Sequence, residues 1–126
     1  MRSFAIAVFI LAVIIGGVIV SRGVIVSASR GVSGVLEEAY WAIEREDWEV
    51  AEEQFLEALE LMRGYLGMFS ILVDHREVEE VMLSMRMMER YLHQREVADA
   101  MAEGARALFW LELIERRTRF NLANIL

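Results

Sequence analysis

The sequence predicts an all-α chain, an N-terminal transmembrane helix followed by an antiparallel bundle of about four helices, and three observations predict it. Phe4 to Val20 is an unbroken apolar run, FAIAVFILAVIIGGVIV. Beyond it, apolar side chains recur at steps of three and four residues between glutamates. No proline interrupts the 126 residues, so the commonest helix breaker is missing at every position. On this pattern, residues 1–26 form a membrane anchor, 27–34 a linker and 35–126 an acidic helical bundle domain.

The anchor comes first. Its twelve Phe, Ile, Leu and Val residues favour the bilayer by roughly 4 to 7 kcal/mol on an insertion scale. A span needs about 20 residues, a length reached when Arg2 and Arg22 snorkel to the two faces. Residues 4–20 are thus expected to contact membrane lipid, which makes the chain a single-pass protein of the cell membrane. A cleaved signal peptide is the rival, because Val26-Ser27-Ala28 offers small residues behind a short basic start. Arg2 precedes the run and Arg22 and Arg30 follow it, so charge leaves the orientation undecided. Ala12, Gly16 and Gly17 form a small-residue face through which two such helices could pair as a homodimer.

Ser27 to Gly34, SASRGVSG, mixes serine with glycine and reads as a linker or kink. Leu36, Tyr40 and Ile43 then describe a short first helix, ended where Asp47 can cap the next. Trp48, Ala51, Phe55, Ala58, Met62, Tyr65, Phe69 and Leu72 carry the clearest stripe in the chain, which demands a helix packed along its length against others. Gly64 and Gly67 weaken its last turns. Asp74-His75-Arg76-Glu77 has the form of a capping box and opens a third helix striped by Val78, Met82, Met85, Met88 and Leu92. A fourth helix carries Val97, Met101, Gly104, Leu108 and Leu111 on one face, and the apolar tail from Phe120 to Leu126 is expected to dock. Short connections make sequential helices antiparallel. Tetratricopeptide-like units are the alternative, since Ala51, Phe55 and Ala58 are echoed by Ala100, Gly104 and Ala107, although at an offset of 49 residues rather than about 34.

Composition then narrows function. With no cysteine there is no disulfide, thiolate nucleophile or thiolate-bound zinc. All thirteen basic residues are Arg, and residues 31–126 hold ten of them against twenty acids, a formal charge of −10. Nucleic acid, whose binding begins with a positive patch, is therefore not an expected partner. No Gly-rich phosphate loop, no nucleophile with a base and no H-E-x-x-H pattern occurs. The expectation is a protein without enzymatic activity, metal or cofactor.

Several residues together resemble a known family. Asp47-Trp48 with Ala51, the His75-x-Glu77 pair ahead of Val81, Ser84 and Arg86, then Tyr91-Leu92 and the terminal Asn121-Leu122-x-Asn124-Ile125-Leu126 are similar to the DUF4363 family of uncharacterised bacterial proteins. The resemblance covers nearly the whole chain. It implies an N-terminal membrane helix with its amino end inside and a helical domain outside the cytoplasm, and it brings no known activity. The methionines at 82–88 and the absence of lysine depart from the family pattern.

Five residues are candidates for a ligand or partner corner: His75, Glu77, Glu79, Trp41 and Trp110. His75 shares a helix face with Glu79 at i+4, where imidazole and carboxylate can bind a cation or move a proton. Two ligands are too few for a zinc site, and His93 lies about 27 Å along the same helix. Trp41 and Trp110 fall off their stripes and would be free to touch a partner. Met82, Met85, Met87 and Met88 are soft ligands in principle, but their helical spacing favours packing. The leading expectation is a membrane-anchored interaction or scaffold module that receives a membrane or envelope protein in the apolar, Met-containing groove between helices 2 and 3. The alternatives are an extracytoplasmic sensor of a metal or small ligand, centred on His75, Glu77 and Glu79, and a tetratricopeptide-like adaptor.

Overall fold

A computed structural model describes residues 1–125, with side chains described as far as Phe120. Four helices account for the described chain: α1 (Arg2–Glu44), α2 (Trp48–Leu72), α3 (His75–His93) and α4 (Val97–Ile125). Three-residue and two-residue connections turn each helix back on its predecessor. The hairpins α1–α2 and α3–α4 pack side by side, chiefly through α1 against α4, whereas α2 and α3 meet along a much shorter seam.

The 43 residues of α1 form one unbroken helix, roughly 65 Å long at 1.5 Å per residue. Its first half touches almost nothing, and residues 2–18 are all exposed. An 18-residue window of this helix is long and apolar enough to cross a membrane. From Ile25 onward the same helix enters the bundle, burying Ile25, Ala28, Ser29, Val32, Leu36, Ala39, Ala42 and Ile43 at steps of three and four.

The linker expected at 27–34 is therefore a helix. Its buried face is made of Ala28, Ser29 and Val32, small enough to let the neighbouring helices approach, while Gly31 and Gly34 face outward. Two glycines cost about 1 kcal/mol each relative to Ala, and the continuous stripe outweighs them. The expected short first helix, Leu36 to Ile43, is the last part of α1 rather than a separate element.

In α2, Ala51, Phe55, Ala58, Met62 and Phe69 are buried as the stripe requires, Trp48 and Tyr65 are half-buried, and Leu72 lies exposed at the end. The helix runs through Gly64 and Gly67 without interruption. Val78, Met85, Met88 and Leu92 of α3, with Ala100, Ala107, Leu111 and Ile114 of α4, complete a single core. A Cβ on Gly104 would lie 3.2 Å from the Met88 methyl and 3.3 Å from the Tyr40 ring. The missing side chain is thus what lets α4 sit this close to α1 and α3.

The two turns at the far end of the bundle share one design. Glu46 and Arg95 occupy left-handed conformations, with φ of 56° and 55°. After α1, the Asp47 N–H donates to the Ala42 carbonyl and the Glu46 N–H to that of Ile43, both at 2.9 Å. After α3, Glu96 donates to Tyr91 at 3.0 Å and Arg95 to Leu92 at 3.1 Å. These are two Schellman caps built without glycine, 49 residues apart, and the sequence echo between Ala51 and Ala100 marks their common register.

Asp47 and Asp74 cap α2 and α3, accepting from the N–H groups of Val50 at 3.5 Å and Arg76 at 2.9 Å. The reciprocal half of the expected capping box does not form. Glu77, 5% exposed, turns its carboxylate to the Arg117 guanidinium of α4 instead. A charge-assisted long-range bond replaces the local one. Phe120 is exposed rather than docked, and the expected docking of the remaining tail falls on side chains outside those described.

Candidate functional site

The five candidate residues do not converge. Positions 75 and 77 are two apart on a helix and so point to different sides. His75 Nε2 pairs with Glu79 Oε1 at 2.8 Å, with side chains 76% and 66% exposed, a contact worth about 0.3 to 0.5 kcal/mol at most. Glu77 faces the α3–α4 side with Arg117, beside Val73, Ile114 and Thr118. Among the described residues no three His, Asp or Glu side chains are arranged to hold a metal. The ligand corner expected from His75, Glu77 and Glu79 is thus split into an exposed pair and a half-buried ion pair.

The tryptophans are also separated. Trp41 is exposed, stands edge-on to Tyr40 with ring centroids 5.0 Å apart, and donates its indole N–H to Glu37 Oε1 at 3.5 Å. With Tyr40, Leu108 and Phe109 it borders a shallow groove of about 290 Å³ between α1 and α4. Trp110 is half-buried and meets Phe109 edge-on at 5.7 Å. Phe109, not Trp110, is the aromatic that shares the groove with Trp41. The signal for it was its position beside Leu108, one residue off the stripe.

The larger apolar opening is the α2–α3 seam. Leu66 and Ser70 from α2 and Val78, Met82 and Leu83 from α3 line a groove of about 490 Å³ rimmed by His75, Glu79, Glu80 and Arg86. Further along the seam, Phe55 and Leu56 of α2 face Leu92 and His93 of α3. Leu56 and Leu83 are 57% and 53% exposed although both stand next to core residues. Met85 and Met88 lie fully inside, whereas Met82 and Met87 are half-buried, so the methionines pack as adaptable filler.

The reason for the gap is legible in side-chain size. The close α1–α4 contact places Tyr40 against Gly104, and the neighbouring Ala39 and Ala42 of α1 and Ala100 and Ala107 of α4 are small and fully buried. If the two hairpins are superposed through their matching turns, its counterpart is the α2–α3 contact, which carries Leu66, Met82 and Leu83 instead. Larger side chains line this seam, which remains partly unfilled.

Comparison with known proteins adds one match. The family model described as "Domain of unknown function (DUF4363)" covers residues 20–125. No curated protein and no solved structure matches the chain.

Proposed function

Because the chain belongs to the DUF4363 family, which carries no assigned activity, we propose a function from its geometry: a membrane-anchored module that receives an apolar helix of another membrane or envelope protein in the α2–α3 groove. The observation that carries this reading is the seam itself. Leu83 stays exposed beside Met82 and Leu66, and Leu56 stays exposed further along the same antiparallel helix pair beside Leu92, the arrangement into which an amphipathic helix lays its apolar face. Half-buried methionine suits such a groove, since its thioether chain adapts to different side chains.

In this reading, residues 4–20 of α1 lie in lipid and the bundle stands outside the cytoplasm, as the family resemblance implies. The continuity of α1 supports an uncleaved anchor. A cut near Ala28 would remove Ile25 from the core and sever the helix inside the bundle.

A photo-crosslinking residue placed at Leu83, Leu56 or Glu49 tests the groove in intact membranes. Crosslinks from positions 83 and 56, but not 49, to one helix of another protein are expected, and Leu83→Asp should abolish them. Crosslinks mapping to a second copy would reassign the seam to a homodimer, and their absence at 83 and 56 would end the proposal.

A further inference from the structure

Three exposed large apolar side chains stand at one end of the bundle. Ile71 is 83% exposed and Phe120 65%, and Leu72 lies beside Ile71 at 45%. Leu72 and Thr118 border the same groove as Val13, Ile14, Val18 and Arg22 of α1. The α2–α3 corner and the late turns of α4 therefore stand around α1 where its all-apolar half begins. Thr118 is followed by seven more helical residues, to Ile125, about 10 Å of helix directed toward this half.

Height and charge point the same way. Residues 2–20 of α1 are about 28 Å long, close to the roughly 30 Å hydrocarbon thickness of a bilayer. Residues 21–25, level with Leu72, then stand at the headgroups. Segments 35–63 and 86–106, the far half of the bundle, hold fourteen acids against six Arg, a net −8. Segments 21–34, 64–85 and 107–125, the near half, hold six of each. The strongly acidic half is thus turned away from the surface that α1 enters, and the neutral half toward it.

We propose that this end of the bundle, through Ile71, Leu72 and Phe120, is seated in the interfacial layer of a lipid bilayer. The inference rests on the proposed membrane location of α1, and the test separates the two. The chain has no cysteine, so single environment-sensitive fluorophores can be attached to Ile71→Cys, Phe120→Cys, Leu56→Cys and Ile10→Cys variants. The full chain is reconstituted in phosphatidylcholine–phosphatidylglycerol vesicles carrying nitroxide lipids.

Labels at 71 and 120 should lose most of their emission to nitroxides near the headgroup and resist aqueous iodide. The label at 10 should respond to deep nitroxides, and the label at 56 to iodide alone. If 10 is quenched by lipid while 71 and 120 remain open to iodide, the seating is wrong and the span stands. If 71 and 120 are shielded from iodide but untouched by lipid nitroxides, a second copy covers them and the proposal is overturned. If 10 itself is open to iodide, the membrane location of α1 falls first and the seating with it.

Discussion

The two halves of α1 are one helix with opposite surroundings. From Arg2 to Val18 every residue is exposed, although nearly all are apolar. From Ile25 to Ile43 a single stripe is buried against α2 and α4 and the rest faces outward. Backbone hydrogen bonding is satisfied internally in both halves, so helix formation does not distinguish them. The distribution of side chains does: apolar all round where no protein touches the helix, apolar on one face where protein does. No proline or other break separates the two, so the bundle half of α1 continues the axis of its apolar half.

If the halves are independent in energy although continuous in backbone, substitutions should affect one and spare the other. Leu36 is fully buried, and Leu36→Ala should destabilise the bundle by about 3 kcal/mol in denaturant titrations of the detergent-solubilised chain. Membrane retention should not change. Ile10→Arg should do the reverse, weakening insertion by roughly 3 kcal/mol in alkaline extraction while the unfolding midpoint stays put. A shared loss in either variant would mean that the halves fold as one unit.

Smaller effects sharpen the picture within the bundle. Glu77 is buried while Arg117 is 59% exposed at its side chain, so their removals should differ. Arg117→Ala strands a carboxylate inside and should cost about 2 kcal/mol, whereas Glu77→Ala leaves a guanidinium that can rehydrate and should cost about 1 kcal/mol. Equal losses by thermal unfolding would show that the pair contributes only packing. The smallest change has the opposite sign. Ser84 is buried, and its hydroxyl has no hydrogen-bond partner among the described residues. Ser84→Ala should raise stability by up to about 1 kcal/mol, and a loss would reveal a partner for the hydroxyl.

These contrasts also explain what could be read in advance. The α2 stripe from Trp48 to Phe69 and the Asp47 and Asp74 caps were legible, because both are local patterns with a fixed spacing. Ser27 to Gly34 was misread because low helix propensity was taken as a break, while the stripe there consists of small residues that hydropathy undervalues. Glu77 fitted a capping box equally well, since its actual partner lies forty residues on. Of the candidate site, the His75–Glu79 pair followed from i+4 spacing, and the α2–α3 groove followed from the neighbouring stripes. The width of that groove, and the exposure of Leu56, Leu83 and Phe109, depend on how closely two hairpins approach, which no single helix records.

Hydrogen exchange of the backbone amides of residues 27–34, measured on the full chain in a lipid bilayer disc, tests most directly whether α1 is one helix. Strong protection, comparable with that of the Leu36 to Ile43 amides, is predicted. Fast exchange confined to Ser27–Gly34 would restore a flexible linker, uncouple the bundle from the apolar half and contradict the account.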